Sequence, residues 1–247
     1  MKKIAVITLL LGFAMAAQNG FLDEQKKYER VRTALKEKNE LISKTLLDAN
    51  LNIKKLNILF IAYKDEAVLE LYAKDKDEVS YKLLEQYNIW QSSGGLGPKS
   101  AQGDKQVPEG FYRIDRFNPF SNFYLSLGIN YPNAADKIRS KAKDLGGDIF
   151  MHGSFVTIGC LPMSDDKIKE IYLYALFAKN AGQADIPVYI FPFKMSEKNI
   201  SKFAKKYVED KELISFWQNL KIGYDKFSSE KKELKFKAKK DGSYLFE

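Results

Sequence analysis

One histidine and one cysteine occur in the whole 247-residue chain, and they stand eight positions apart within Asp148-Ile-Phe-Met-His152-Gly-Ser-Phe-Val-Thr157-Ile-Gly159-Cys160. A thiol and an imidazole suffice to make an activated nucleophile, since the imidazole removes the proton and the thiolate attacks a carbonyl carbon. Cys160 is therefore the candidate nucleophile and His152 its candidate base. On composition alone, a buried thiol and a core histidine close together by accident explain the pair equally well. The flanking glycines favour chemistry. Gly153 follows the histidine and Gly159 precedes the cysteine, so backbone can approach a substrate closely. The N–H groups of Gly159 and Cys160 are then candidate donors to a developing oxyanion.

These residues need elements to hold them. Residues 134–145 carry Ile138, Ala142 and Leu145 at helical spacing and stop at Gly146-Gly147, which predicts a helix feeding a strand over 148–151 with His152 at its end. After Cys160, Ser164 and Asp165 supply a cap, and Ile168, Ile171, Tyr172, Ala175 and Leu176 repeat as one helix face. That spacing puts Cys160 in a tight connection before a helix start, where N–H groups and the helix dipole lower a thiol's pKa. Upstream, residues 22–50 read as one or two surface helices with Leu35, Leu41, Ile42 and Leu46 as a rough stripe, residues 56–63 and 67–73 as a hairpin, and 79–87, 110–114 and 123–127 as further strands. Residues 186–193 predict another strand, with Pro187 placing its N-terminal end at a sheet edge. The glycines and prolines of residues 92–110 mark a loop. They do not make a phosphate cradle, because Lys99 follows Pro98 rather than a glycine and no helix pattern opens there.

Beyond residue 195 the chain turns helical and basic. Segments 199–209 and 212–220 are amphipathic, with Phe203, Tyr207, Phe216, Trp217 and Leu220 on the apolar side; the lysine-rich stretch 226–240 is a solvated face, and Tyr244-Leu245-Phe246 a last small strand. The whole predicts an α+β, β-rich fold. Its parts are a leader over 1–16, a helical lead-in over 17–50, a catalytic body over 51–195 and a helical basic extension over 196–247.

The leader is read from Met1-Lys2-Lys3, an apolar run from Ile4 to Phe13 and small residues before Ala17, the pattern of a signal peptide. The run is shorter than the ~20 residues that span a bilayer, and no later segment is long and apolar enough to do so. Export to the periplasm or cell envelope is the expectation. The formal charge is +8; without Lys2 and Lys3 it is +6, from 38 basic and 32 acidic residues. An anionic neighbourhood such as a cell envelope fits that sign, whereas an exported chain rarely meets nucleic acid. A lone cysteine permits no internal disulfide, so the thiol is kept for chemistry or buried out of reach. No cofactor is expected. Zinc is disfavoured because one histidine, one cysteine and the Asp165-Asp166 pair are too few well-spaced ligands.

Several motifs occur together: Ser93-Gly-Gly-Leu-Gly97-Pro98-Lys99, Gly103-Asp104, Pro108-Glu109-Gly110-Phe111-Tyr112, Leu125-Ser126, Tyr131-Pro132-Asn133, His152-Gly153, Ile158-Gly159-Cys160 and Ile186-Pro187-Val188, with Phe216-Trp217 and Tyr224-Asp225 near the C-terminus. The combination, over roughly residues 56–246, resembles the L,D-transpeptidase catalytic domain of YkuD type, and more closely its YafK-like branch. Thr157-Ile158 before Gly159-Cys160, Leu161-Pro162-Met163 after it, and a histidine only eight residues upstream depart from the common pattern and match that branch. The resemblance implies a β-sandwich-like domain with flanking helices, acting on the stem peptides of bacterial peptidoglycan. It also implies a thioester formed on Cys160, and a backbone carbonyl near Gly153 orienting the far nitrogen of His152 in place of an acidic third member. An amine resolves the thioester in a transpeptidase and water in a hydrolase; a wall-linked protein is a further candidate partner. No motif decides between these outcomes, and a non-catalytic wall-binding module is the reading from another class. Tyr131, Phe155 and Met163 are candidate walls of a substrate groove, Lys99 a candidate partner for a substrate carboxylate, and Ser154 and Thr157 candidate hydrogen-bonding groups. Each has a core or solvated role as its alternative.

Overall fold

The computed structural model describes residues 20–90 and 93–247; the leader over 1–16 and Ser92 of the glycine-rich stretch lie outside the described residues. The strands are β1 (Leu56–Tyr63), β2 (Val68–Asp75), β3 (Lys82–Asn88), β4 (Gly110–Asn118), β5 (Ser126–Ile129), β6 (Ile149–His152), β7 (Leu161–Pro162), β8 (Pro187–Phe191), β9 (Phe236–Ala238) and β10 (Tyr244–Phe246). The helices are α1 (Glu29–Asp48), α2 (Ala134–Arg139), α3 (Ser164–Asn180), α4 (Glu197–Lys206) and α5 (Lys211–Glu230). Strands β1 to β8 form one mixed sheet in the order β3-β2-β1-β8-β4-β5-β6-β7, and β9 pairs only with β10.

Why one sheet holds two cores can be read from β1. Side chains alternate across a strand: Leu56, Ile58, Phe60 and Ala62 enter the core beneath α1 and α3, while Leu59, Ile61 and Tyr63 enter a second core with α4 and α5. In β8, Val188 and Ile190 face the first core, and Tyr189 and Phe191 the second. A strand covered on both faces is apolar nearly throughout, which is how these two segments read, with Asn57 the one exception. Helix α3 is buried nearly all round, between the sheet and α1. The sheet curls until its ends meet, where the Trp90 N–H donates to the Pro162 carbonyl at 2.9 Å. The result is a β-rich α+β fold with flanking helices, its sandwich-like shape made by one curled sheet.

Several local expectations change. Helix α2 stops at Arg139 rather than near residue 145. Ser140 leaves helical geometry, its hydroxyl donates to the Ser100 carbonyl at 2.7 Å, and the Asp144 carbonyl accepts from the Gln102 N–H at 3.0 Å. Contacts with the glycine-rich loop therefore outweigh helix propensity. Strand β3 begins at Lys82, with Val79 exposed in the preceding turn. In α1 the buried positions are Val31, Ala34, Ile42 and Leu46, and Leu41 is exposed. Strand β8 is central rather than at an edge: it runs parallel to β1 and antiparallel to β4. Pro187 is tolerated because the β1 ladder starts only at Val188, so its missing N–H breaks no bond on that side.

Candidate active site

His152 ends β6, flanked by β5 through the Ser126–His152 pair and by the short parallel β7 through the His152–Pro162 pair. Its ring is buried. The carbonyl of Gly153 bonds Nδ1, which fixes the tautomer with the proton on Nδ1 and leaves Nε2 as the basic nitrogen. Phe123 lies against the imidazole with ring centroids 4.6 Å apart. Burial pushes the imidazole pKa below its ordinary 6.5, the Gly153 carbonyl partly opposing the shift. The ring is thus neutral and able to accept a proton at neutral pH.

Gly153 is glycine by necessity. A Cβ there would stand 2.5 Å from Asp165 Oδ1 and 2.7 Å from the Phe123 carbonyl oxygen. Asp165, in the first turn of α3, accepts a hydrogen bond from the Ser154 N–H at 2.7 Å. The strand, the turn at Ser154 (φ +64°) and the helix start are locked together behind the histidine.

Cys160 stands one residue before β7, half-buried. Its thiol donates to the Asp148 carbonyl at 3.6 Å, not to His152. Helix α3 begins four residues later, at Ser164, and β7 intervenes. The expected lowering of the thiol pKa by a helix start is accordingly not found. Burial raises it above the ordinary 9.0, and the Asp148 charge adds to that, while a backbone hydrogen bond with Phe150 and the Lys99 ammonium pull it down. The resting thiol and the resting imidazole are both neutral.

The turn before the cysteine is closed by Thr157, whose Oγ1 accepts from the Cys160 N–H at 2.9 Å and donates to the Cys160 carbonyl at 2.8 Å. The Cys160 N–H is therefore engaged in the resting site. Gly159 has φ +119°, and a Cβ on it would lie 3.0 Å from the Gln106 carbonyl oxygen. Only glycine suits that position.

The remaining candidates fall into two groups. Phe155 is exposed and lies 4.5 Å from the exposed Trp90, ring to ring, where the two ends of the sheet meet. Tyr131 and Met163 are buried. The Tyr131 hydroxyl donates to the carbonyls of Lys99 and Leu145, both at 3.3 Å. Lys99 is buried as well, its ammonium held by Asp104 at 2.7 Å and by the Ala101 carbonyl at 2.8 Å. No metal-holding group of three or more His, Cys, Asp or Glu side chains occurs among the described residues. Sequence reasoning missed Phe123, Asp148, Asp165, Trp90 and Gln106. They come from five separate stretches of chain, and only Asp148, four residues before His152, lies in the stretch that holds the histidine and the cysteine.

Comparison with known proteins gives the family of the chain. The family model of the YkuD L,D-transpeptidase catalytic domain matches residues 57–190, more than half of the chain. YafK of Escherichia coli (strain K12), a protein assigned provisionally to the L,D-transpeptidases, is 39% identical over 172 residues, covering 69% of this chain. The match spans 66% of YafK, just under two thirds of its length. Among solved structures, the helical cell shape determining protein Pgp2 from Campylobacter jejuni is 19% identical with a TM-score of 0.45, covering 74% of this chain and 73% of its own. Bd1075 of Bdellovibrio bacteriovorus is 21% identical with a TM-score of 0.39, covering 68% of this chain and 60% of its own. Superpositions as loose as these transfer no residue roles.

Proposed function

This chain belongs to the L,D-transpeptidase catalytic-domain family, and from that premise we propose that it is an exported, cysteine-dependent acyltransferase acting on peptidoglycan stem peptides. The observation that carries the reading is the tethering of His152 Nδ1 to the Gly153 carbonyl, which leaves a neutral Nε2 as the available base, while the chain's only thiol stands one residue before the strand that pairs with the histidine's own.

The thiol first turns from the Asp148 carbonyl toward Nε2. His152 takes its proton as sulfur attacks the carbonyl carbon of the third-position diamino acid, and the positive charge on the ring is steadied by the Nδ1–H bond to Gly153. The tetrahedral intermediate collapses with cleavage of the C–N bond to the next residue; His152 returns the proton to the leaving amine, and a thioester remains on Cys160. An incoming amine then attacks that thioester, His152 accepting its proton, and the thiol is restored. With water in place of the amine, the same steps are hydrolysis. The oxyanion has the backbone around Gly159 and Cys160 as its donor source, once substrate draws the Cys160 N–H away from Thr157. In this reading Phe155 and Trp90 line the approach, Thr157 and Ser154 shape the turn, and Lys99 and Tyr131 support the wall behind the thiol.

The test is mass spectrometry of tetrapeptide and protein-linked muropeptides incubated with the purified protein, with and without a D-amino acid. Cysteine-dependent exchange or crosslinking establishes the transpeptidase, and tripeptide release alone the hydrolase. Cys160→Ala and His152→Ala are each expected to lower turnover by at least about 10³-fold while leaving the fold intact. A fully active Cys160→Ala protein would end the proposal.

A further inference from the structure

The loop 97–107 lies against Gly159, the residue before the cysteine, and its base is held by buried charges. Lys64, in the tight turn after β1, has an ammonium with three partners: the Gly97 carbonyl at 2.8 Å, the Val107 carbonyl at 2.9 Å and Glu109 Oε1 at 2.9 Å. The same Oε1 accepts from the Gly97 N–H at 2.7 Å, and Oε2 accepts from Trp217 Nε1 at 2.9 Å. The Lys64 side chain is 1% exposed and that of Glu109 0%. One ammonium therefore pins the entry and the exit of the loop together, and one carboxylate ties both to helix α5.

A buried ion pair adds little net stability compared with an apolar replacement, but it fixes geometry because each partner demands its donors and acceptors in place. The geometry fixed here is the loop. Within it, Asp104 gathers the N–H groups of Ser100, Ala101 and Gln106 together with the Lys99 ammonium. At its far side the Gln106 carbonyl rests against Gly159.

We propose that Glu109, held between Lys64 and Trp217, is a positioning residue through which the C-terminal helix α5 sets the reactivity of Cys160. Removing the Trp217 N–H leaves Glu109 Oε2 buried without a donor, a state costly enough that the carboxylate moves, and the loop base moves with it. The Lys99 ammonium and the Gln106 carbonyl are displaced together. The charged groups that act on the thiol are Asp148 and Lys99; of these, Lys99 rides on the loop with its partner Asp104. The inference rests on Cys160 being the reactive thiol, and alkylation reads that thiol whether or not turnover on muropeptides is found.

The experiment measures the rate of Cys160 alkylation by iodoacetamide against pH, with thermal melts by circular dichroism, for wild type, Trp217→Phe, Lys99→Met and the double variant. Trp217→Phe keeps an aromatic ring among Phe193, Phe203 and Tyr207 while removing the donor and part of the buried volume, the second of which the thermal melts report. It is expected to slow alkylation about three- to tenfold at pH 8, a shift of roughly half to one pKa unit upward. Lys99→Met should slow it similarly, and the double variant should add little, because both changes act through the Lys99 ammonium, one by displacing it and the other by removing it. Glu109→Gln is the second variant and should shift the profile in the same direction. A folded Trp217→Phe or Glu109→Gln protein with the wild-type alkylation profile, whatever its melting temperature, overturns the proposal. So does full additivity in the double variant.

Discussion

At the scale of single residues, the site is a neutral thiol and a neutral imidazole, each set by burial rather than by a charged partner. The imidazole pKa is lowered from 6.5 and the thiol pKa raised from 9.0. The signs separate two pH profiles. Proton acceptance by His152 is available once pH exceeds its depressed pKa, so the acid limb of kcat/KM should have its midpoint below 6.5. Thiolate in the free protein accumulates only above the raised thiol pKa, so iodoacetamide alkylation should be slow at pH 7 and still rising beyond pH 9. An alkylation rate already flat at pH 6 would reveal a preformed thiolate–imidazolium pair and sink this account. The histidine's own contribution to stability has a defined direction. Its folded pKa lies below the unfolded value, so the unfolded chain binds the proton first and stability falls as pH drops through 6.5 toward the folded pKa.

At the scale of elements, the histidine is aimed by a strand end, a turn and a helix start that meet at Gly153. A methyl group there would press on Asp165 and on the Phe123 backbone; the carboxylate can turn away only by giving up the Ser154 N–H, and the backbone only by moving the segment before β5. Gly153→Ala should therefore cost about 1–3 kcal/mol of stability, in the range of an overpacked core. It should also lower kcat more than it raises KM, because the carbonyl that orients Nδ1 shifts. Chemical denaturation and steady-state kinetics check both; a variant with unchanged stability and kcat would show that the turn has slack. The glycine could be read from the sequence as the neighbour of the only histidine. Its reason could not, since Asp165 and Phe123 lie 12 and 30 positions away in opposite directions.

At the scale of the whole molecule, the basic extension shares a core with the sheet. Phe203, Phe216, Trp217, Leu220, Phe227, Leu234 and Tyr244 are buried with Phe111, Tyr189, Phe191 and Phe193. At about 1.5–3 kcal/mol for each fully buried large side chain, these seven represent on the order of 10 kcal/mol, comparable with the net stability of a domain. A chain ending at residue 195 should lose cooperative thermal unfolding and bind a hydrophobic dye; a sharp melt from that truncated chain would show the sheet to be self-sufficient. The sequence by itself determined the candidate pair, the glycines beside it, the strand-rich body and the helix after the cysteine, because these depend on residue type and short spacing. Tertiary structure alone decided that β8 is central, that the helix after Asn133 is cut short at Arg139, that Lys99 is paired inside its own loop, and that burial, not a helix dipole, governs the thiol. Most of these turn on which distant segments meet: β8 between β1 and β4, and a carbonyl from residue 100 on Ser140. Local pattern carries the period of a strand or helix but not its neighbours, and it is the neighbours that set burial, charge and reach at Cys160.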